Sequence, residues 1–527
     1  MSTNEINLCS FILKEYHGPV AEKVGVYLLK NGSMPLRMIA QDLSLKLSQT
    51  KKTLYTLMQH NMVDFELHKR GFVEYRLDIE NVLVRLRFPR FIYSAKMLYG
   101  DTAELLVEEL LHHGQIEMSR LLDKVTERLN ESAEGGEVSS ENVREQFVAL
   151  VHTQFIRRCL AVTTHTTGQP QAIPSFSTEE QDVHTVPTSV LNAVDSRKRK
   201  RSVDGSEQAT KKQRTDTSEE QLPDKGVFWQ IDYQRFNHYL RDQHIINAIG
   251  ERVDKRAAET VRAILRLSEL SMDFRVPTTN PVSYHEIMQA LPKELGVNSE
   301  TLDQYLKILV DDSMEFILKA DDSGGGMYVI HLKRALTTIC KAHLESVVRE
   351  RFGSKYFRIF KLLMLKKQLE QKQIEEFAMI PAKEAKDMLY RMFGEQFVTI
   401  TEVPRTPDHA PSRTFFLFSV NISYVARMLL EQCYKAMFNL TLRREHETKE
   451  NKRLLDKQQR VEAIAASLEQ SGADPSQRDE VEEMITPSER AQLARVKHIT
   501  NKLEQSELQL EETVFVLQTY LQYDKLS

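Results

Sequence analysis

The chain has 527 residues, a length suited to roughly three to four domains of about 150 residues each. Charged residues make up 28% and the formal net charge is -4, which excludes a nucleic-acid coat and makes any nucleic-acid contact a local matter. Four cysteines, Cys9, Cys159, Cys340 and Cys433, lie far apart with no C-x-x-C, excluding a disulfide scaffold or a zinc ribbon and suiting a reducing compartment.

In chain order, Ile6 to Lys30 reads as an amphipathic helix, Pro35 to Leu43 as a second, and Ser48 to His60 as a third with Ser48 as its N-cap. On the third, Leu54, Leu57 and Met58 face inward, Lys52, Thr56 and Gln59 line the opposite face, and Lys51 adds a second cation. Val63 to Leu77, "VDFELHKRGFVEYRL", alternates apolar and polar residues on both sides of Lys69-Arg70-Gly71. That pattern predicts two half-buried strands joined by a tight turn, with Gly71 free to take a positive φ. Such a hairpin is not stable alone in water. Three helices followed by a hairpin is the winged-helix order, so the hairpin packs on the helices and Lys69 and Arg70 tip the wing.

Next comes "VRLRFPRFIYSAK", in which Arg85, Arg87, Arg90 and Lys96 alternate with Phe88, Phe91 and Tyr93. Cations neutralise phosphates while aromatic rings stack on unpaired bases, so the mixture suits duplex and single-stranded DNA. A linker with buried aromatics, and with cations that are solvated or dock on an acidic partner, explains it equally well.

The winged-helix pattern recurs. "LYTLMQHNMVDF" from Leu54 aligns without a gap on "LYRMFGEQFVTI" from Leu389, and Ile39 then falls on Ile374. A further copy begins near Ser283 with "YHEIMQAL", continues through "TLDQYLKILVDDSMEFIL" and ends on a hairpin whose loop holds Gly324 to Gly326. A weaker copy runs from Thr102 through "MSRLLDKVTERL" and "VREQFVALVHTQFIRRCL". Between the second and third copies, Thr163 to Pro223 is rich in Ser, Thr, Pro, Gln and charge, and reads as disordered. It contains Arg197, Lys198, Arg199, Lys200 and Arg201, then Lys211, Lys212 and Arg214. Two basic clusters so spaced suggest a nuclear import signal, with non-specific phosphate binding or a solvated charge run as alternatives.

After the fourth copy, "HETKENKRLLDKQQRVEAIAASLEQ" is charged nearly all round, with Leu454, Val461, Ile464 and Leu468 as a thin apolar seam, and "SGADPSQ" breaks it. A returning segment carries Leu493, Val496, Leu503, Leu510, Val514, Leu517 and Leu521. Seams this narrow predict an antiparallel helical hairpin that serves assembly through those residues. The expected fold is therefore mainly α with short β-hairpins: four tandem winged helices and a C-terminal coiled-coil hairpin. The expected boundaries are 1–82, 83–162, a linker at 163–225, 226–345, 346–422 and 423–527.

No H-E-x-x-H, G-x-x-x-x-G-K-[ST], G-x-S-x-G or G-x-G-x-x-G occurs, so enzymatic chemistry, cofactors and metals are not expected. Asp311-Asp312 and Asp321-Asp322 sit where Asp caps helices and turns, and hard-cation sites need several converging oxygens. His112-His113 reads as surface polarity, Trp229 as core, and "SGGGM" as a wing turn without the Lys of a phosphate loop. No apolar run approaches the roughly 20 residues that cross a bilayer, and "MSTNEINLCS" has no basic region before an apolar one. The expectation is a soluble intracellular protein with no membrane partner.

Four segments carry a family resemblance: "EQKQIEEFAMIPAKEAKDMLY" (Glu370 to Tyr390), "TPDHAPSRTFFLF" (Thr406 to Phe418), "DDSGGGMYVI" (Asp321 to Ile330) and "HETKENKRLLDKQQRVEAI" (His446 to Ile464). Through them, and over essentially its whole length, the chain resembles the third-largest subunit of eukaryotic RNA polymerase III. The resemblance implies a non-catalytic, nuclear subunit of four winged helices and a coiled coil, joined with two smaller subunits on the clamp of the largest subunit. It also implies support of promoter-directed initiation and DNA opening at transfer-RNA, 5S and other small-RNA genes. In animals it further implies a part in sensing cytosolic AT-rich DNA by the polymerase. Two other readings stand beside it. A stand-alone transcription factor presents a strongly basic recognition helix, whereas here Lys51 and Lys52 stand alone and Lys383, Lys386 and Arg391 mix with Glu384 and Asp387. A scaffold that uses winged helices only for protein contacts is the nearer competitor.

Overall fold

The structure is a computed structural model that describes residues 2–132, 140–159, 162–163, 175–176, 183–187, 224, 226–269, 276–292, 296–405, 407, 413–470, 481 and 484–525. It forms two compact units, Cys9–Leu240 and Arg241–Ser527 with Met1–Leu8.

In the first unit, Gly18 at φ 85° and Pro19 divide the expected first helix into Thr3–His17 and Pro19–Asn31. Pro19 has no N–H to continue the helix, and only glycine takes that φ without strain. Helices Leu36–Asp42 and Leu47–Gln59 follow. Lys46, not Ser48, holds the N-cap of the latter, with no side-chain cap. Strands Val63–Leu67 and Val73–Leu77 pair antiparallel, Val63 opposite Leu77 and Leu67 opposite Val73, and Met34–Pro35 adds a third strand. Val63 and Leu77 are buried with Val24, Ile39, Leu54 and Leu57, so the base of the wing is anchored in the helical core while its outer end projects into water.

The second repeat closes its sheet from a distance. Ile116–Glu117 and Ile156–Arg158 both pair with Phe228–Ile231, which lies beyond the insertion. Trp229 on that central strand is fully buried and meets the Phe147 ring edge-on at 5.4 Å. Asp224 accepts hydrogen bonds from the N–H and Oγ of Ser119 at 2.7 and 2.8 Å, tying the chain after the insertion to helix Met118–Ser132. Residues 228–231, expected in the third repeat, thus complete the second. The physical reason is an edge: without the returning strand, two short strands would leave their backbone groups unpaired.

The first two repeats meet at a polar joint. Gly114 stands at φ 74°, and a Cβ there would also collide with the carbonyl oxygen of Gln59 and come within 2.8 Å of His60 Nδ1, so only glycine fits the joint. Gln59 Nε2 donates to the His113 carbonyl at 2.9 Å, and Gln115 Nε2 donates to Asn61 Oδ1 at 3.2 Å. His17 and His60 stand ring to ring at 4.9 Å. Burial first, then the neighbouring Arg85 guanidinium, lowers His17 to about 4 and His60 to about 3.

In the second unit, helices Lys255–Ser268, Tyr284–Ala290 and Ser299–Asp311 precede strands Ile317–Asp321 and Met327–Ile330, the latter paired also with Val282–Ser283. Ser283 and Glu286 form a capping box at the start of the Tyr284 helix. Helix Leu332–Phe352 leads into the fourth repeat, with helices Ser354–Lys366, Gln371–Ala378 and Ala382–Gly394. Its sheet centres on Thr414–Ser419, flanked by Gln368–Glu370 and Thr399–Pro404.

Helices Ile422–Glu450 and Lys452–Gln470 ascend and Pro487–Lys525 returns. The returning helix does not leave its seam open. Leu493, Val496, Val514, Leu517 and Leu521 are buried within the chain, and Val516 and Tyr523 of the same helix belong to the apolar core of the third repeat. Leu503 and Leu510 are half-buried. The expectation that this seam faces a partner is corrected over its C-terminal part, where the chain's own helices fill it. Among the described residues, no helix is long and apolar enough to cross a membrane.

The internal packing of the returning helix has a measurable cost when cut back. Leu517→Ala, at a side chain with no exposure, costs roughly 2 to 5 kcal/mol and lowers the melting temperature of the second unit. Hydrogen exchange along Pro487–Lys525 accelerates in the variant, and unchanged melting would refute the internal role. The joint histidines give a pH dependence. Below their ordinary value of 6.5 the unfolded chain binds protons that folded His17 and His60 refuse until about 4 and about 3. Their contribution is therefore complete above pH 6.5 and is lost as the pH falls toward 4. His60→Asn flattens the stability–pH curve of the first unit over that window, measured by urea unfolding at stepped pH.

Candidate nucleic-acid interface

The wing tip of the first repeat is a closed turn. His68 N–H donates to the Phe72 carbonyl and Gly71 N–H to the His68 carbonyl, both at 2.9 Å, with Gly71 at φ 84°. Arg70 N–H donates to His68 Nδ1 at 3.2 Å, and the His68 ring stacks on Phe72 at 4.5 Å. The turn thus stiffens itself and leaves Lys69 and Arg70 exposed. Lys51 and Lys52 are likewise exposed on the third helix. Among the described residues none of these four side chains has a hydrogen bond or ion pair.

The adjoining arginines do not extend that surface. Arg85 and Arg87 are each only 6% exposed. The Arg85 guanidinium lies over the rings of Tyr16 at 4.8 Å and Phe88 at 5.6 Å, and burial lowers its pKa from the ordinary arginine value. Arg87 Nη1 donates to Asn237 Oδ1 at 3.3 Å. Arg90 is half-buried on helix Phe88–Tyr99 and has partners of its own. Lys96 is exposed but pairs with Glu104 at 2.7 Å and Asp101 at 3.1 Å, and those hydrogen bonds raise its pKa. The expected continuous positive strip is therefore interrupted: Phe91 is fully buried and Phe88 half-buried, and Arg85 is drawn in as a cation–π partner of the Phe88 ring, whereas Tyr93 stays 62% exposed. Residues 197–214, the candidate import signal, lie outside the described residues.

The repeats differ in what they expose. The third-repeat helix Ser299–Asp311 shows Glu300, Asp303 and Asp311 against Lys307, and its wing carries Asp321 and Asp322, a poor surface for phosphate. Asp312 accepts a two-pronged hydrogen bond from Arg252 at 2.8 and 2.6 Å, and Asp322 pairs with Lys319, so both acid pairs serve the fold. On the fourth repeat Met379 is 86% exposed and Leu365 73% exposed, with Phe377, Tyr390 and Phe393 also open to solvent.

Sequence reasoning passed over Tyr55, 66% exposed one helical turn after Lys51. Its register partner in the fourth repeat, Tyr390, is 52% exposed, with Lys386 Nζ 6.0 Å from its ring centroid. The gap-free alignment of the two repeats was the signal that could have found this shared Lys-x-x-x-Tyr pair.

Known proteins share this arrangement of domains. Residues 7–68 match the family model of the RNA polymerase III subunit RPC82 helix-turn-helix domain, and 145–339 that of RNA polymerase III subunit RPC82. Residues 344–420 match the POLR3C C-terminal winged-helix domain, and 453–516 the helical hairpin domain of DNA-directed RNA polymerase III subunit RPC3. DNA-directed RNA polymerase III subunit RPC3 of Homo sapiens is 49% identical over 99% of this chain and 99% of that protein. The Danio rerio protein of the same name is 46% identical with the same shares covered, and that of Dictyostelium discoideum 22% identical over 85% of this chain and 92% of its own length. Winged helices, a C-terminal helical hairpin and relatedness over the full length agree: the chain belongs to the RPC3 family, the winged-helix, non-catalytic subunits of DNA-directed RNA polymerase III.

Proposed function

We propose that this subunit works in the nucleus within a heterotrimer, joined by two smaller subunits on the clamp of the largest polymerase subunit. There it supports promoter-directed initiation and DNA opening at transfer-RNA, 5S and other small-RNA genes. The observation that carries the DNA contact is the set of exposed cations without partners on the first repeat, Lys51, Lys52, Lys69 and Arg70. Cations on a stiff turn and an exposed helix face engage phosphates, and phosphates position a duplex without specifying its sequence. Part of the same reading is recognition of AT-rich cytosolic DNA by the polymerase as a whole, since phosphate contact does not depend on the gene. Residues 197–214 remain the proposed import signal.

A second reading has its own support. The apolar exposure of the fourth repeat and the burial of Arg85 and Arg87 favour winged helices used chiefly for protein contact. The two readings divide on the wing tip. In the DNA reading, Lys69→Ala with Arg70→Ala lowers affinity about equally for unrelated duplexes. It also reduces the slope of log affinity against log salt by about one unit for each phosphate the wing no longer engages. Transcription by polymerase carrying the double variant falls more on closed linear promoters than on pre-melted bubbles. Equal loss on both templates, with affinity and salt slope unchanged, assigns the wing to protein contact instead.

A further inference from the structure

Arg85 lies on the single 3-10 turn Val84–Arg87 that leads from the first repeat into helix Phe88–Tyr99, and it is only 6% exposed. The rings of Tyr16 and Phe88 cover its guanidinium at 4.8 and 5.6 Å. Rings satisfy the faces of that planar group, whereas its N–H bonds point outward in its own plane. There Nε and Nη2 are buried and, among the described residues, neither has a hydrogen-bond partner. Beside them His17 Nε2 is buried without a partner too.

Nε and Nη2 form one fork of the guanidinium, with N–H bonds that run side by side and suit paired oxygens. Two other arginines of this chain show what the fork holds. Arg252 places its Nε and Nη2 on the two oxygens of Asp312 at 2.8 and 2.6 Å. Arg241, buried as deeply as Arg85, sets the same two atoms on Asp242 Oδ1 at 2.8 and 2.7 Å. Arg85 presents the fork without the carboxylate.

Its neighbours do not supply the missing charge. Among the described residues, the groups that offset the burial of Arg85 are the phenols of Tyr233 and Tyr16, not a carboxylate. Burial raises the Tyr233 phenol above its ordinary value of 10, so it is protonated at neutral pH. Arg157 bears on that same phenol and adds a second cation to the region. His17 and His60, lowered to about 4 and about 3, are neutral at pH 7.5 and free of charge repulsion toward the arginine. A buried charge left without a counter-charge is costly, and a bound anion removes that cost.

We propose that the joint between the first two repeats holds a small planar oxyanion of the carboxylate class, with two oxygens on Nε and Nη2 of Arg85 and His17 Nε2 donating to one of them. The ion is planar because the fork takes two oxygens side by side, and small because a site with 6% of its arginine exposed admits no bulky group. Tyr16, 55% exposed over the guanidinium, marks the way in. Bound there, the ion does for Arg85 what Asp242 does for Arg241 and braces the polar joint.

Formate is the probe, added to the full chain at pH 7.5 and constant ionic strength. Saturation transfer from the protein to the formate proton is expected, saturable, and competed by bicarbonate but not by chloride. Formate is expected to shift the carbon-13 histidine signals of His17 and His60 and to leave His244 and His498 in place. Arg85→Lys keeps the charge and removes the fork, so the transfer signal is expected to fall about tenfold with near-ultraviolet circular dichroism unchanged. Arg252→Lys, at a fork already filled by Asp312, is expected to bind formate as the wild-type chain does. A formate signal that does not saturate, equal competition by chloride, or equal shifts at His17 and His244 overturns the proposal and leaves an adventitious ion only. If Arg85→Lys fails to fold, the histidine shifts of the wild-type chain decide alone. Loss of the formate signal on assembly into polymerase also overturns it, in favour of an acidic side chain of a neighbouring subunit on the same fork.

Discussion

The last helix of the chain completes a core that begins nearly three hundred residues earlier. Val516 and Tyr523 belong to the same apolar cluster as Ile245, Ile264, Leu306 and Ile330 of the third winged helix. Arg241 is almost wholly buried there. Its Nε and Nη2 pair with Asp242 Oδ1 at 2.8 and 2.7 Å, and its Nη1 donates to Tyr523 Oη at 2.6 Å. A guanidinium so far from water needs its charge matched at close range, which the Asp242 carboxylate supplies. The third repeat is thus built around the end of the sequence, and the helical hairpin is fixed to it at its base. Ser423 Oγ donating to Asp524 Oδ2 at 2.6 Å, and Gln518 Nε2 donating to Tyr434 Oη at 2.7 Å, align the ascending and returning helices in the same region.

That constraint sorts the charges of the chain. Where a cation enters a core it needs a ring, a carboxylate or an amide, and it no longer serves as a surface for DNA. Arg85 over Tyr16, Arg235 over Phe155 at 4.4 Å and Arg241 against Asp242 are of this kind. Lys51, Lys52, Lys69 and Arg70 stay outside, on a stiff turn and an exposed helix face of the first repeat.

Legibility in the sequence followed the range of the interaction. The first wing was readable because period-2 alternation and a glycine turn are local, and the repeats were readable because buried Leu54 and Leu389 keep one register. The closing strand Phe228–Ile231 was not, since its partners Ile116 and Ile156 lie across the insertion and its single Trp names no partner. Arg85 and Arg87 were misplaced for a related reason. A charged side chain reads as solvent-facing unless its neighbours are known to be core, and Phe91 is fully buried. The seam of the returning helix was correct as a pattern of apolar spacing. Spacing alone does not say whether the matching face belongs to the same chain.

The four repeats share a scaffold but not a surface, and the difference follows from what each scaffold leaves uncovered. On the third, Tyr284 and Tyr328 bury the inner side of a wing whose outer side is acidic. On the fourth, the loop after Gln371–Ala378 turns through Met379 at φ 53°, a left-handed conformation unusual for a residue with a side chain, and holds that side chain out in water. Arg358 Nη1 donating to the Ala378 carbonyl at 3.0 Å helps fix the turn. An exposed methionine presented by a strained, hydrogen-bonded turn costs free energy in the isolated chain. The fourth repeat therefore presents apolar side chains on the same scaffold that, in the first, carries a glycine turn tipped with two cations.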